Sequence, residues 1–208
     1  MPSFKPVKTL SMQNSESIRI PAGGVVLEGD LEIPSGACGL VVFVHGSGSS
    51  RHSPRNQLVA RAIRGAGAGT LLFDLLTKQE EAADAITAEL RFDIGLLTRR
   101  LLDVTRHLRS RPDLSGLPVG YFGASTGAAA ALGAAAVLGN DIAAVVSRGG
   151  RPDLARKSLG DVVSPTLLIV GGLDDAVIEL NEQAFARMSC VREMKIVSGA
   201  THLFEEPG

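Results

Sequence analysis

Six short apolar runs, at residues 40–44, 70–73, 119–122, 142–146, 166–170 and 194–197, lack the alternation of a strand with one wet face. Strands of that kind must be covered on both sides, so the chain has to supply helices above and below them. The intervening segments do carry helical spacing: Leu58, Val59, Ala62 and Ile63, then Ile94, Leu97, Leu101, Val104 and Leu108, then an Ala-rich stretch at 128–138, then Ala184, Phe185 and Met188. Strands alternating with helices favour parallel pairing through right-handed crossovers. Residues 15–34 differ, because Ile18, Ile20, Val25, Val26, Leu27, Leu31 and Ile33 are interleaved with polar residues around Gly23-Gly24, the pattern of an antiparallel hairpin. The expected fold is α/β: a mostly parallel, doubly wound sheet with an antiparallel N-terminal hairpin and helices on both faces.

With 208 residues the chain can build one sizeable core but not two full α/β domains. The expected organisation is an N-terminal extension over residues 1–14 and one domain over residues 15–208. The acidic stretch 77–88 is expected to be a loop or a solvated helix start. Only Leu203 to Gly208 follow His202, so the helix that would cover the last strand is expected to be missing and its surface left to a second copy or a partner chain.

Charge narrows the function classes. Lys and Arg number 21 against 22 Asp and Glu, a net charge of -1, which gives no basic field for nucleic acid or an anionic membrane. No run reaches the roughly 18 apolar residues of a membrane span and no apolar leader opens the chain, so the expected location is cytoplasmic and the partner a small molecule. Cys38 and Cys190 are two isolated cysteines with neither disulfide-framework nor CxxC spacing, expected as buried, inert thiols. His45, His52, His107 and His202 show no metal-ligand spacing, so neither a metal nor a cofactor is expected.

Gly123-Ala124-Ser125-Thr126-Gly127 is a GxSxG sequence between the run ending at Phe122 and the Ala-rich helix. A serine on such a strand-to-helix turn is lifted clear of the sheet at the positive end of a helix, where it can act as a nucleophile. A hydroxyl needs a base to take its proton, and in sheets of this kind an acid and a histidine follow the serine in that order. The run 166–170 leads into Gly171-Gly172-Leu173-Asp174-Asp175, which puts a carboxylate at the carboxyl edge of the sheet, where sites of open α/β sheets form. Asp174 is preferred for its GxxDxxV spacing, with Asp175 as its rival. His202 follows the last run through the small residues Ser198-Gly199-Ala200-Thr201 and is the candidate base, whereas His107 lies among arginines on a charged helix.

His45-Gly46-Ser47-Gly48-Ser49-Ser50 follows the first run and is similar to turns that give one backbone N–H to an oxyanion hole. Ser47 is the candidate donor there, and the amide of Thr126, directly after the nucleophile, is the second. A phosphate cradle is disfavoured because the turn lacks the lysine of GxxxxGK[ST]. Arg51, Arg55, Arg148 and Arg151 are all expected in loops that follow strands, on the side of the sheet where the candidate site lies. Arg148 and Arg151 are candidate contacts for an anionic substrate group, against the alternative of surface arginines or structural pairs with Asp153 and Asp161.

These motifs also carry a resemblance. FVHGSGSSRHSPRN, YFGASTGAAAAL, VSRGGRPDLA, LLIVGGLDDAVIELN and GATHLFEEPG together resemble the dienelactone hydrolase-like branch of the α/β hydrolases over nearly the whole chain. Dienelactone hydrolases proper carry a cysteine at the elbow where this chain has Ser125, so the resemblance implies acyl transfer without implying the lactone. The same motifs resemble a hydrolase-like domain fused in some proteins behind a phosphoribosyltransferase domain. Two functions follow as expectations. One is a serine hydrolase that cleaves a small carboxylic ester, lactone or thioester through an acyl-enzyme. The other is a non-catalytic binding or accessory module, for example a partner of a phosphoribosyltransferase domain.

Overall fold

The computed structural model describes residues 14–206. All of the expected N-terminal extension except Asn14, which opens the first strand, lies outside the described residues, as do Pro207 and Gly208. Strands β1 (Asn14–Ala22) and β2 (Val25–Ile33) form the expected hairpin around Gly23 and Gly24, both at positive φ. Six further strands follow: β3 (Leu40–Val44), β4 (Gly69–Phe73), β5 (Val119–Ala124), β6 (Ile142–Arg148), β7 (Thr166–Gly171) and β8 (Arg192–Val197). They join the hairpin in one sheet of order β1-β2-β4-β3-β5-β6-β7-β8. The β1/β2 and β2/β4 pairs are antiparallel, and every other pair is parallel.

This is the α/β-hydrolase fold, with helices on both faces. From β3 the chain passes to β4 through α1 (Pro54–Gly65), then through α2 (Lys78–Thr87) and α3 (Ile94–Ser110) to β5 on the other side of β3. That reversal opens a crevice at the carboxyl ends of β3 and β5, the place where ligands enter sheets of this class. On one face α3 and α4 (Thr126–Leu138) cover a core that includes Leu71, Phe73, Leu101, Tyr121 and Leu132. On the other, Phe43, Ala60, Leu72 and Phe122 form a smaller cluster under α1. The small side chains of α4 let it lie close to its neighbours: a Cβ on Gly133 would come within 2.9 Å of Thr98 Oγ1 of α3.

Of the two alternatives for the acidic stretch the helix is the one formed, over residues 78–87, since Thr77 Oγ1 accepts from Glu80 N–H while Glu80 Oε2 accepts from Thr77 N–H, a reciprocal cap. Three expectations are corrected. The helix expected around Ala184 to Met188 is α5 (Asp175–Phe185), which starts directly after Asp174 and leaves Met188 beyond its end. Cys38 is exposed in the short β2–β3 connection and Cys190 is half-buried, so neither is a core thiol. Arg55 lies in the first turn of α1 and Arg148 closes β6, so neither belongs to a loop.

Candidate active site

The GxSxG sequence forms the turn from β5 into α4, and each glycine has a steric cause. A Cβ at Gly123 would come within 2.5 Å of Ala128 Cα, and one at Gly127 within 2.1 Å of Val44 O and 2.4 Å of His45 O. Such contacts are with backbone and cannot be relieved by a rotamer change, so only glycine lets α4 start directly against the end of β3. Ser125 between them sits at φ 49°, ψ −124°, a region that costs a non-glycine residue about 1–3 kcal/mol. The turn is tied on its far side by Arg151 N–H donating to Ser125 O at 3.0 Å.

His202 lies in the loop after β8, and Asp174 directly before α5. The imidazole Nδ1 donates to Asp174 Oδ2 at 2.6 Å, which leaves Nε2 unprotonated in the neutral ring. Asp175 instead stands exposed in the first turn of α5. Two glycines that were not singled out from the sequence let the His202 loop reach the site. A Cβ at Gly171 would come within 2.5 Å of both Ala200 O and Thr201 O, and one at Gly149, at φ +51°, within 3.1 Å of His202 O and 3.6 Å of its ring Cε1. Gly149 follows Arg148, which is level with Ala124 in the β5/β6 register, so the His202 loop packs at the end of the strand next to the one that leads into Ser125. Among the described residues, the bond to Asp174 is the one side-chain hydrogen bond of His202.

The turn after β3 faces Ser125 at close range. A Cβ at Gly46 would come within 2.7 Å of Ser125 Cβ, so no larger residue fits there. His45, buried at 7% exposure, holds this turn with both ring nitrogens: Leu75 N–H donates to Nε2 at 3.1 Å, and Nδ1 lies 2.9 Å from Gly46 O. An amide can only donate, so Nε2 is the acceptor and Nδ1–H the donor, and the ring is neutral. Burial lowers its pKa below the ordinary histidine value. In a trans peptide C=O and N–H point opposite ways, so pinning Gly46 O turns the Ser47 N–H toward α4, where it donates to Thr126 Oγ1 at 3.0 Å. Nothing in the sequence identified this bond or the part His45 plays in it.

A cleft of about 530 Å³ opens beside the turn after β3, lined by residues that include Ser47, Thr126, Leu75, Leu76, Leu97, Glu81, Asp84 and Arg91, while Ser125, Asp174 and His202 are not among them. Its size suits a small acyl substrate. Glu81 is pushed above the usual carboxylate range by burial and by the nearby charge of Asp74. The two arginine candidates part company here. Arg151 grips Asp153 through two bonds of 2.8 Å and is a structural pair. Arg148 has no carboxylate partner among the described residues: it donates to Asn56 Oδ1 at 3.2 Å and lies 5.7 Å over the Phe122 ring. Burial and the neighbouring Arg55 lower its pKa. Arg51 is held by Asp74, Glu28 and Asp30, and Arg55 by Glu205. Among the described residues no helix is long and apolar enough to cross a membrane.

Comparison with known proteins gives the following. No family model matches the chain. Two curated proteins from two strains of Mycobacterium tuberculosis, both described as candidate phosphoribosyl transferases, are 58% identical over 193 residues, covering 93% of this chain and 43% of theirs. The chain thus spans less than half the length of the curated relatives it matches. A crystal structure of dienelactone hydrolase from Anabaena variabilis superposes with a TM-score of 0.92 at 54% identity, covering 94% of this chain and 91% of that one. Est1E from Butyrivibrio proteoclasticus superposes with a TM-score of 0.76 at 16% identity over 91% of each chain, a likeness of fold alone.

Proposed function

Because the chain belongs to the dienelactone hydrolase-like branch of the α/β hydrolases, we propose that it is a serine hydrolase that cleaves a small carboxylic ester, lactone or thioester through an acyl-enzyme. The observation that carries this is the Asp174–His202 hydrogen bond of 2.6 Å, together with a serine at positive φ on the turn from β5 into α4. His202 Nε2 takes the proton of Ser125 as Oγ attacks the acyl carbon. Asp174 fixes the tautomer and stabilises the imidazolium. The proton then passes to the leaving oxygen or sulfur, and water repeats the cycle to release the acid. Each step is proton transfer through the chain's own groups or nucleophilic attack by Ser125 or water, and no cofactor is required.

Arg148 is the group proposed to favour an anionic substrate, because it is a half-buried cation with no carboxylate partner among the described residues. Arg151, neutralised by Asp153, drops out of that role. Replacing Arg148 with Ala is expected to lower kcat/KM for esters carrying a free carboxylate at least tenfold more than for neutral esters of the same size. An equal loss for both would remove Arg148 from recognition. We assign the enzyme to the cytoplasm.

The test uses a fluorophosphonate probe and a panel of short p-nitrophenyl esters and thioesters on the wild-type chain and on Ser125→Ala. Covalent labelling by intact mass and turnover are both expected in the wild type and lost in the variant. A folded wild-type chain that neither labels nor turns over would favour the accessory role. The identity to mycobacterial proteins more than twice as long, described as phosphoribosyl transferases, supports that second role.

A further inference from the structure

The oxyanion side of the site contains a mismatch between what is needed and what is free. Two donors are wanted, and the Ser47 amide is already spent on the Thr126 hydroxyl at 3.0 Å. Thr126 is itself buried at 3% exposure, at the first position of α4, and it lines the cleft beside the nucleophile. A hydroxyl has one hydrogen and two lone pairs. Accepting from Ser47 uses one lone pair, and among the described residues no acceptor takes the hydrogen. The backbone N–H of Thr126, in the first turn of the helix, has no intrahelical partner either.

We propose that Thr126 supplies two oxyanion donors, its backbone N–H and its side-chain hydroxyl, and that the Ser47 amide acts through the hydroxyl as a positioning group. This rests on the serine hydrolase function proposed above. As Ser125 Oγ bonds to the acyl carbon, the carbonyl π pair moves onto oxygen and the Oγ proton moves to His202 Nε2. The resulting oxyanion accepts hydrogen bonds from Thr126 N–H and Thr126 Oγ–H, and neither proton is transferred. When the pair returns to re-form C=O, the leaving group departs with the proton from His202.

The supporting chain of bonds is continuous. Leu75 N–H holds His45 Nε2, His45 Nδ1–H holds Gly46 O, and Ser47 N–H holds Thr126 Oγ1, which fixes the lone pair and turns the hydrogen away from the Ser47 amide. Hydrogen bonds in series polarise one another, so a hydroxyl that accepts from an amide is the better donor. A serine at position 126 would keep this function, whereas valine, of nearly the same shape, would remove it while keeping the backbone N–H.

The decisive experiment measures p-nitrophenyl acetate hydrolysis, fluorophosphonate labelling and inhibition by an aryl trifluoromethyl ketone in wild type, Thr126→Val and Thr126→Ser. A ketone of this kind forms a Ser125 adduct that carries the oxyanion. Thr126→Val is expected to lose about 100-fold in kcat at unchanged KM, and to bind the ketone more weakly by a similar factor. Thr126→Ser is expected to stay within fivefold of wild type in both. Thermal unfolding of each variant shows that the comparison is between folded proteins. If the Ser47 N–H were the direct donor, Thr126→Val would free it, and kcat and ketone affinity equal to or above wild type would overturn the proposal. A valine variant in which KM and Tm move while ketone affinity holds would reduce Thr126 to a structural anchor and overturn it too. Should the wild type neither label nor turn over, the hydrolase function itself fails and this inference falls with it.

Discussion

At the residue scale the two adjacent aspartates are the sharpest case. Asp174 and Asp175 are one peptide apart, and their order of merit in the sequence rested on spacing alone. In the structure only Asp174 reaches His202, while Asp175 sits exposed at the start of α5, near the positive end of the helix. Asp174→Asn would offer the imidazole a donor where it needs an acceptor, favouring the wrong tautomer. A loss of about 10⁴ in kcat is expected, as for other orienting carboxylates. Asp175→Asn is expected to keep kcat within about threefold and to cost at most about 1 kcal/mol of stability through the helix terminus. Measuring kcat and denaturation midpoints for both variants checks the pair, and equal losses in kcat would remove Asp174 from its orienting role.

At the scale of elements, the strands were legible because burial on both faces leaves short unbroken apolar runs, and GxSxG was legible because it fell between such a run and an Ala-rich stretch. The helix α2 was legible only as one of two alternatives, although Thr77 and Glu80 spell its reciprocal cap, because its exposed face is dominated by charge and masks the period. The contacts that join elements were legible only as the presence of glycine. Gly46, Gly127, Gly149 and Gly171 mark close backbone approaches, but a sequence does not say what each glycine approaches. The Ser47–Thr126 bond spans 79 positions and depends on β3 and β5 being neighbours, so no local pattern encodes it. This separates two kinds of destabilising variant. Leu101→Ala in α3 removes a fully buried side chain that does not line the cleft, and it is expected to cost about 2–5 kcal/mol with kcat nearly intact at 25 °C. Gly127→Ala drives a Cβ into Val44 O and His45 O, and must part α4 from β3 at the point where Ser47 meets Thr126. A smaller stability cost of about 1–3 kcal/mol should accompany a far larger loss of kcat. Urea unfolding and initial rates on the same preparations separate the two, and a Gly127→Ala enzyme with wild-type kcat would break the link between this contact and the site.

On the scale of the whole molecule, the parallel run of β3, β5, β6, β7 and β8 gathers the loops after them along one edge, and global stability is therefore coupled to groups at the candidate site. His45 is the clearest of these. Its neutral ring is held on both nitrogens, and its pKa is lowered from the ordinary 6.5 by burial. In the unfolded chain His45 binds a proton as the pH falls through about 6.5, whereas in the folded protein it stays neutral until a lower pH. Between those two points the unfolded state carries more protons, so stability rises with pH. The contribution of His45 is thus fully present above about 6.5 and drains away toward its folded-state pKa, at up to about 1.4 kcal/mol per pH unit. Protonation below that point puts an Nε2–H against the Leu75 N–H, which would loosen the Gly46–Ser47 peptide as well. His45→Asn should begin less stable than wild type at pH 8 and lose less on acidification, so the two stability curves converge toward pH 5. Urea unfolding of both proteins at half-unit steps from pH 8 to pH 5 measures the slopes, and parallel curves would assign the acid sensitivity to a different group.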